Sequence, residues 1–386
     1  MKPVIVVVGY NRPKSLGRLL YSIENAIYKE NNIKLIISLD KAINEKEVLE
    51  VANSFIWTHG EKEIRTFEER QGLRKHILAC GELTNIYDAV IILEDDLIVS
   101  QNFYEYTKEA LKYYQDKKCI TGIALYSHEW NGYARRNFVP IADQYDTYLG
   151  QYSITWGQCW TKKWWNNFKE WYNKHEDKLE YNPNIPPSIN RWSDKSWGKY
   201  FVSYIVEENK YYVIPRISYS TNCSDVGEHV KISENIHQVR LMNGVVENYV
   251  FAPVEKAQKY DIFFENKKLK LNFKEEIQKE GVVIDLAGIG RNAGKNRYIL
   301  TTLELPYTIV KSYGLQLRPY EMNVINNIPG SEIFLYDTLK EDKAKKNCNI
   351  FNVMRYEIRG FSTKDLFPYV FDLFKQSIKS KIRKKR

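Results

Sequence analysis

Signals for covalent cross-linking or membrane insertion are scarce in this chain. Its 386 residues hold five cysteines (80, 119, 159, 223 and 348), odd in number, scattered, and nowhere in C-x-x-C spacing. No disulfide framework or zinc site is indicated, and reduced, mostly buried thiols are expected. The apolar run Val4–Val8 is too short for a secretory signal core and far too short to span a bilayer, and no later stretch reaches spanning length. A cytosolic location is the expectation. Broad basic charge is missing too. Seven of the nine net positive charges lie in residues 375–386 (KQSIKSKIRKKR), which contain no acid, so the rest of the chain carries +2. A basic tail on a near-neutral body argues against a nucleic-acid groove. Internal repeats and low-complexity tracts are absent. The abundance of Lys, Asn, Ile and Tyr points to an AT-rich, bacterial genome.

What is present is alternation. Val4–Val8 is a β-branched run suited to a strand covered on both faces. Asn11-Arg12-Pro13 is a turn opening a helix, in which Leu16, Leu19, Leu20 and Ile23 recur at helical spacing. A second strand (Ile33–Leu39) ends at Asp40, with a helix over 44–55, a weaker strand near 63–67 and a helix over 70–84. Ala89–Leu93 is another buried-type strand leading into Glu94-Asp95-Asp96, and Phe103, Tyr106, Ala110 and Tyr114 mark the helix beyond. Such alternation predicts an α/β fold with a mostly parallel sheet flanked by helices, whose ligands bind at strand carboxyl ends. Arg12, Asp40 and the acidic triplet all fall there. From about 250 the pattern changes to short strand-like runs (Val282–Leu286, Arg297–Leu303, Tyr307–Lys311, Glu332–Tyr336) with no clear helix before Thr363–Ile378. The expected division is a catalytic domain over 1–250, a β-rich module over 251–362, and a helix with basic tail over 363–386.

Carboxylates just past a buried strand can hold a hard divalent cation, Mn²⁺ or Mg²⁺, that neutralises a diphosphate leaving group. The competing reading is a solvated acidic turn before a helix N-terminus. The stretch VIILEDDLIVSQNFYEY (90–106) closely resembles the metal-binding segment of the animal β-1,2-N-acetylglucosaminyltransferases. It also resembles that of bacterial polysaccharide glycosyltransferases with similar strand–Asn–Arg–Pro and GLRKHI segments. The resemblance covers roughly residues 3–235 in blocks and implies a GT-A-like, Rossmann-like fold acting on a UDP-sugar. It implies Asp96 as metal ligand, Asp95 as a donor contact and Glu94 in support. It further implies Arg12 and Asp40 as uridine contacts, with Lys75 and His76 in the region of another base contact. An ordinary turn arginine, a turn aspartate, a surface lysine and a packed histidine are the alternatives.

Seven of the nine tryptophans lie between 156 and 197. Aromatic faces pack against pyranose rings, yet Trp160, Trp164, Phe168 and Trp171 at helical spacing read as core. Trp156, in SITWGQCW, is the first choice for an acceptor contact. Inverting transfer needs a general base, and the resemblance places it in RWSDKSWGKYF (191–201), where Asp194 is the sole acid. Helix-capping chemistry is its alternative role. TNCSDVGEHV (221–230) resembles a loop that closes over the donor diphosphate, with His229 as a second metal or phosphate contact.

Gly288–Gly294 suggests a dinucleotide loop only superficially, because Arg297–Leu303 reads as a strand; a hairpin loop is expected. Val370, Phe371, Phe374 and Ile378 beside the basic run fit a helix lying on an anionic membrane face, with a solvated terminus as alternative. The leading expectation is a metal-dependent, inverting glycosyltransferase moving sugar from a UDP-sugar to a glycan or lipid-linked glycan. A sugar nucleotidyltransferase would usually carry a Gly-rich basic loop after the first strand, which GYNRP lacks. A non-catalytic glycan-binding protein keeping the fold is the third reading. Oligomeric state is left open.

Overall fold

A computed structural model describes residues 1–152, 154–225, 235–342, 351–358 and 360–383, with the side chains of 351, 352 and 376–383 outside the description. Two compact units result, Met1–Leu269 and Lys270–Arg386. The first extends beyond 250 because Lys259–Tyr260 adds an edge strand to its sheet.

In the first unit the chain runs β1 (Val4–Gly9), α1 (Pro13–Glu24), β2 (Leu35–Leu39), α2 (Glu45–Ser54), β3 (Lys62–Thr66), α3 (Gly72–Gly81), α4 (Thr84–Tyr87) and β4 (Ala89–Glu94). It continues through β5 (Leu97–Val99), α5 (Phe103–Tyr114), β6 (Ile120–Ala124), β7 (Trp130–Asn131), β8 (Arg136–Asn137), β9 (Thr147–Gly150), β10 (Gln158–Thr161), α6 (Lys162–Asn173) and α7 (Pro187–Asn190). It ends with α8 (Trp197–Glu207), β11 (Tyr211–Pro215), β12 (Ser220–Asn222) and β13 (Lys259–Tyr260). Nine strands form one sheet in the order β13-β9-β11-β6-β10-β4-β1-β2-β3. Pairing is parallel among β4, β1, β2 and β3, while β10 inserts antiparallel between β4 and β6. This is the expected α/β architecture.

Alternation along the strands divides the core. Ile5, Val7, Ile37, Ile91 and Leu93 face α1, α2 and α5 on one side. Val4, Val6, Val8, Ile36 and Ile92 face α3, α6 and α8 on the other. Both sides of β1 and β4 are therefore apolar, as a continuous hydrophobic run requires. Trp164, Trp165, Phe168 and Trp171 form a buried stripe on α6. Trp160 does not belong to that stripe: it lies on β10, its indole N–H donating to the buried Tyr212 hydroxyl at 2.8 Å. The four-residue spacing carries across a strand–helix junction, which periodicity cannot detect. Among the described cysteines, Cys80, Cys119, Cys159 and Cys223 are free.

The second unit contains a four-stranded sheet, β14 (Val282–Asp285), β15 (Tyr298–Thr301), β16 (Tyr307–Tyr313) and β17 (Ile333–Glu341), in the order β14-β15-β17-β16. All four expected strand runs form. Helices accompany them where none was expected, namely α9 (Glu275–Glu280), α10 (Glu321–Ile325) and α11 (Phe351–Ile358), with α12 (Thr363–Arg383) following. The first three are too short to show a helical period. The glycine-rich connection is not a hairpin loop, because β14 and β15 are parallel. Its backbone wraps the buried Asp285 carboxylate, which accepts N–H groups from Ile289, Gly290 and Arg291 at 3.0–3.2 Å.

Trp165 fills the gap between α3 and α6, so closely that a Cβ on Gly81 would lie 2.2 Å from its ring. Trp165→Ala should cost about 3–5 kcal/mol through lost burial and the cavity left, read as a lower urea midpoint at unchanged m-value.

Candidate functional site

The site begins with register. Val8 of β1 pairs with Glu94 of β4, and Gly9 pairs with Leu39 of β2. Two further backbone bonds carry the alignment past the strand ends, Asp95 N–H to Val8 O at 3.0 Å and Asp40 N–H to Gly9 O at 2.9 Å. Tyr10, Asp40 and Asp95 thus leave the sheet at one level, and an open cleft of about 750 Å³, open solvent included, forms above them. Arg12, Asp40, Glu94, Asp95 and Asp96 all line it, joined by Arg70, His76 and Asp225. Gly9 is at closest approach: a Cβ there would lie 2.9 Å from Leu39 Cδ2.

Arg12 organises the charge. Its guanidinium pairs with Asp95 through one nitrogen and with Asp96 Oδ2 at 3.1 Å through another. Burial alone would lower the Arg12 pKa; Asp95 and Asp96 outweigh it and raise it. The carboxylates behave differently. Asp95 is pushed up to about 6 by burial, partly opposed by Arg12, with Asp96 adding to the rise. Glu94 is pushed well above the ordinary range, first by burial and then by Asp96 and Asp95. Burial thus works against charge on Glu94, while Arg12 stands directly against its two successors. Asp96 Oδ1 is buried with no hydrogen-bond partner among the described residues. Such a buried acceptor oxygen has the chemistry to accept a hydrogen bond or to ligate a hard cation.

Asp40 has a task that its sequence position does not disclose. Its Oδ1 accepts the N–H groups of Lys41 and Gln71 at 2.8 and 2.7 Å, and its Oδ2 accepts Gly72 N–H at 2.8 Å. It ties the start of α3 to the end of β2. Gly72 has φ +71° with open space around its missing Cβ, so backbone freedom rather than crowding requires glycine there. On the next turn His76 is buried, its Nε2 at 2.8 Å from the Ser38 hydroxyl. Burial lowers its pKa to about 4, Asp40 opposing and Arg65 assisting. It is a packed neutral histidine on the cleft floor.

The remaining expected residues are distributed differently. Lys75 is exposed and absent from the cleft lining. Trp156 is half-buried outside the cleft, its ring 4.6 Å from His237 and 4.8 Å from Tyr126. Asp194 is 65% exposed and paired with Lys199 at 2.7 Å, which holds its carboxyl below the usual range. Its backbone carbonyl accepts from Arg74 of α3 at 2.8 Å, so it is linked to the helix whose start lines the cleft. His229 lies outside the described residues, as do its immediate neighbours. Among the described residues, no group of three or more His, Cys, Asp or Glu side chains could enclose a metal ion.

Sequence reading did not single out Arg70 and Asp225. Arg70 sits 4.9 Å over the Tyr10 ring. Asp225 accepts from Ser15 at 2.7 Å and pairs with Arg18, whose hydrogen bonds with those of Ser15 outweigh burial and lower its pKa. Its position in TNCSDVGEHV was the available signal.

No protein-family model and no curated protein matches the chain. Among solved structures it is similar to S. aureus TarS 1-349 in complex with UDP-GlcNAc, at 10% identity and TM-score 0.38, over 59% of this chain and 60% of that one. GalNAc-T7 with UDP, GalNAc and Mn²⁺ gives 11% identity and TM-score 0.38, over 57% and 44%. The mannosyltransferase PcManGT from Pyrobaculum calidifontis, in complex with GDP-Man and Mn²⁺, gives 10% and 0.29, over 42% and 46%. The matched region takes in less than two thirds of each of those chains.

His76 supplies a test by pH. Its folded pKa of about 4 lies below the ordinary 6.5. Between those values the unfolded chain binds more protons, so His76 makes stability fall as pH falls. The contribution reaches at most about 3 kcal/mol. Urea titrations from pH 7 to 4 should show a shallower loss for His76→Gln than for the parent chain.

Proposed function

We propose that the chain is a metal-dependent glycosyltransferase that takes sugar from a UDP-sugar, with the cleft of β1, β2 and β4 as its donor site. The observation that carries this reading is the meeting of Arg12, Asp95 and Asp96 at one strand edge, with Asp96 Oδ1 left without a partner among the described residues. Added to it is the resemblance of residues 90–106 to known metal-binding segments.

The residues suit a site in which the protein offers one or two carboxylates and the donor phosphates complete the coordination. Asp96 would hold Mn²⁺ or Mg²⁺, with Asp95 beside it and His229 as a further candidate. When bound, the cation supplies positive charge that stabilises the departing diphosphate. Arg12 already lies against both aspartates, so it can turn its charge to phosphate when the cation takes its place. Arg70 and Tyr10 offer a cationic and aromatic surface for the donor at the cleft rim. Asp40 keeps Gly72 and the start of α3 in position as the cleft wall, with one lone pair left toward a uracil N–H.

The acceptor is a glycan, presented free or on a lipid. Asp194 is the base that the sequence pattern offers for inverting transfer. Pairing with Lys199 keeps it a carboxylate at neutral pH, the form a base needs, though a weaker one than an unpaired acid. Trp156, with His237 against its face, is the candidate sugar platform. One observation favours a second reading. Arg12 pairs with both aspartates, a charge balance that a non-catalytic glycan-binding protein of this fold would also use.

Calorimetry with UDP separates them. Mn²⁺ should tighten UDP binding about 5–150-fold, and Asp96→Ala should remove that dependence while leaving the fold intact by circular dichroism. UDP binding indifferent to metal in the parent chain would favour the second reading.

A further inference from the structure

The longest helix of the second unit buries none of its described side chains fully. Along the described part of α12, Leu366 is half-buried and every other residue from Thr363 to Lys375 is exposed. That exposed set includes Phe367 at 77%, Phe371 at 54% and Phe374 at 63%. Leu366, Phe367, Val370, Phe371 and Phe374 follow i, i+1, i+4, i+5, i+8 spacing, which gathers them into one stripe of a helix. Soluble proteins rarely leave a contiguous aromatic stripe in water without a partner for it.

The partner's chemistry is indicated by what adjoins the stripe. Residues 375–386 carry seven Lys or Arg and no acid. Apolar rings followed directly by concentrated positive charge complement an anionic lipid surface, where rings enter the acyl boundary and cations meet headgroups. An acidic protein groove would satisfy the charge but would not call for three phenylalanines side by side. Among the described residues, no helix is long and apolar enough to cross a membrane, so the helix would lie along the surface rather than through it. Pro368 stands within the first two turns of α12. Val370, Phe371 and Phe374 lie on the uninterrupted stretch that follows it, and Leu366 and Phe367 on the turn before.

We propose that α12 docks the chain on an anionic membrane face through Phe367, Val370, Phe371 and Phe374, with the following basic residues holding the headgroups. The proposal does not depend on the donor reading: vesicle binding and UDP binding are separate measurements.

The test uses the full chain with vesicles of phosphatidylcholine alone and of phosphatidylcholine with about one third phosphatidylglycerol, a composition at which a polybasic segment is drawn to the surface. Co-sedimentation is expected only with the anionic vesicles, and should weaken as salt rises from low to physiological strength. Phe371→Ser/Phe374→Ser should weaken it at least about tenfold through lost apolar insertion. Reversing the charge at Lys375, Lys379 and Lys381 to Glu should weaken it to a similar degree. Light scattering on the same samples reads self-association. Equal binding to both vesicle types, no binding to either, or unchanged binding by the double phenylalanine variant would overturn the proposal. So would a dimer that the double variant dissolves while vesicle binding is absent, since the stripe would then belong to a second copy of the chain.

Discussion

Three acids at the end of a buried strand cannot all be charged without an answering cation, and in this chain Arg12 provides it. Glu94, Asp95 and Asp96 leave β4 where the low dielectric of the sheet opposes ionisation. Arg12 comes from the neighbouring strand end and stands between two of them. One consequence is a division of labour by position. Burial pushes the acid still on the strand well above the ordinary carboxylate range, the next is pushed up to about 6, and the last keeps an oxygen with no partner among the described residues. Adjacent residues of similar chemistry thus end with different capacities.

That arrangement needs neighbours that do not move. Asp40 supplies part of the rigidity by taking three backbone N–H groups, two of them from the start of α3. A side chain that bonds so much backbone acts as a clamp, and its ligand-facing role is confined to what remains. Asp225 does the like on the far wall, joining Ser15 and Arg18 of α1. Both walls are fixed by carboxylates whose partners come from other elements, so the cleft is shaped before any ligand arrives.

Much of this was legible in the chain. Val4–Val8 and Ala89–Leu93 could only be strands buried on both faces, and Leu16, Leu19, Leu20 and Ile23 could only be one side of a helix. Placing Arg12, Asp40 and the triplet on one edge followed from that. Side-chain partnership did not follow. Arg12 meets acids more than eighty positions away, and nothing in NRP tells whether it faces a base, a phosphate or Asp95. Trp160 looked helical because spacing of four persists across the β10–α6 junction. The short helices α9, α10 and α11 span too few residues to show a period. The glycine-rich connection looked like a hairpin because sequence reveals two strands but not their relative direction.

The insertion of β10 between β4 and β6 has a bearing on how the chain comes into being. While the chain emerges from the ribosome, β1 to β4 and their helices can assemble first, since their pairing is sequential or nearly so. The open side of β4 must then wait for residues 158–161, which pair with Ala89–Ile92. Until they arrive, a bare, strongly apolar edge faces solvent, the kind of edge that seeks a partner in any chain nearby. Nascent-chain crowding and chaperone demand should therefore concentrate in the interval between synthesis of β4 and of β10. The strand that covers β4 also closes the period in which its edge is bare.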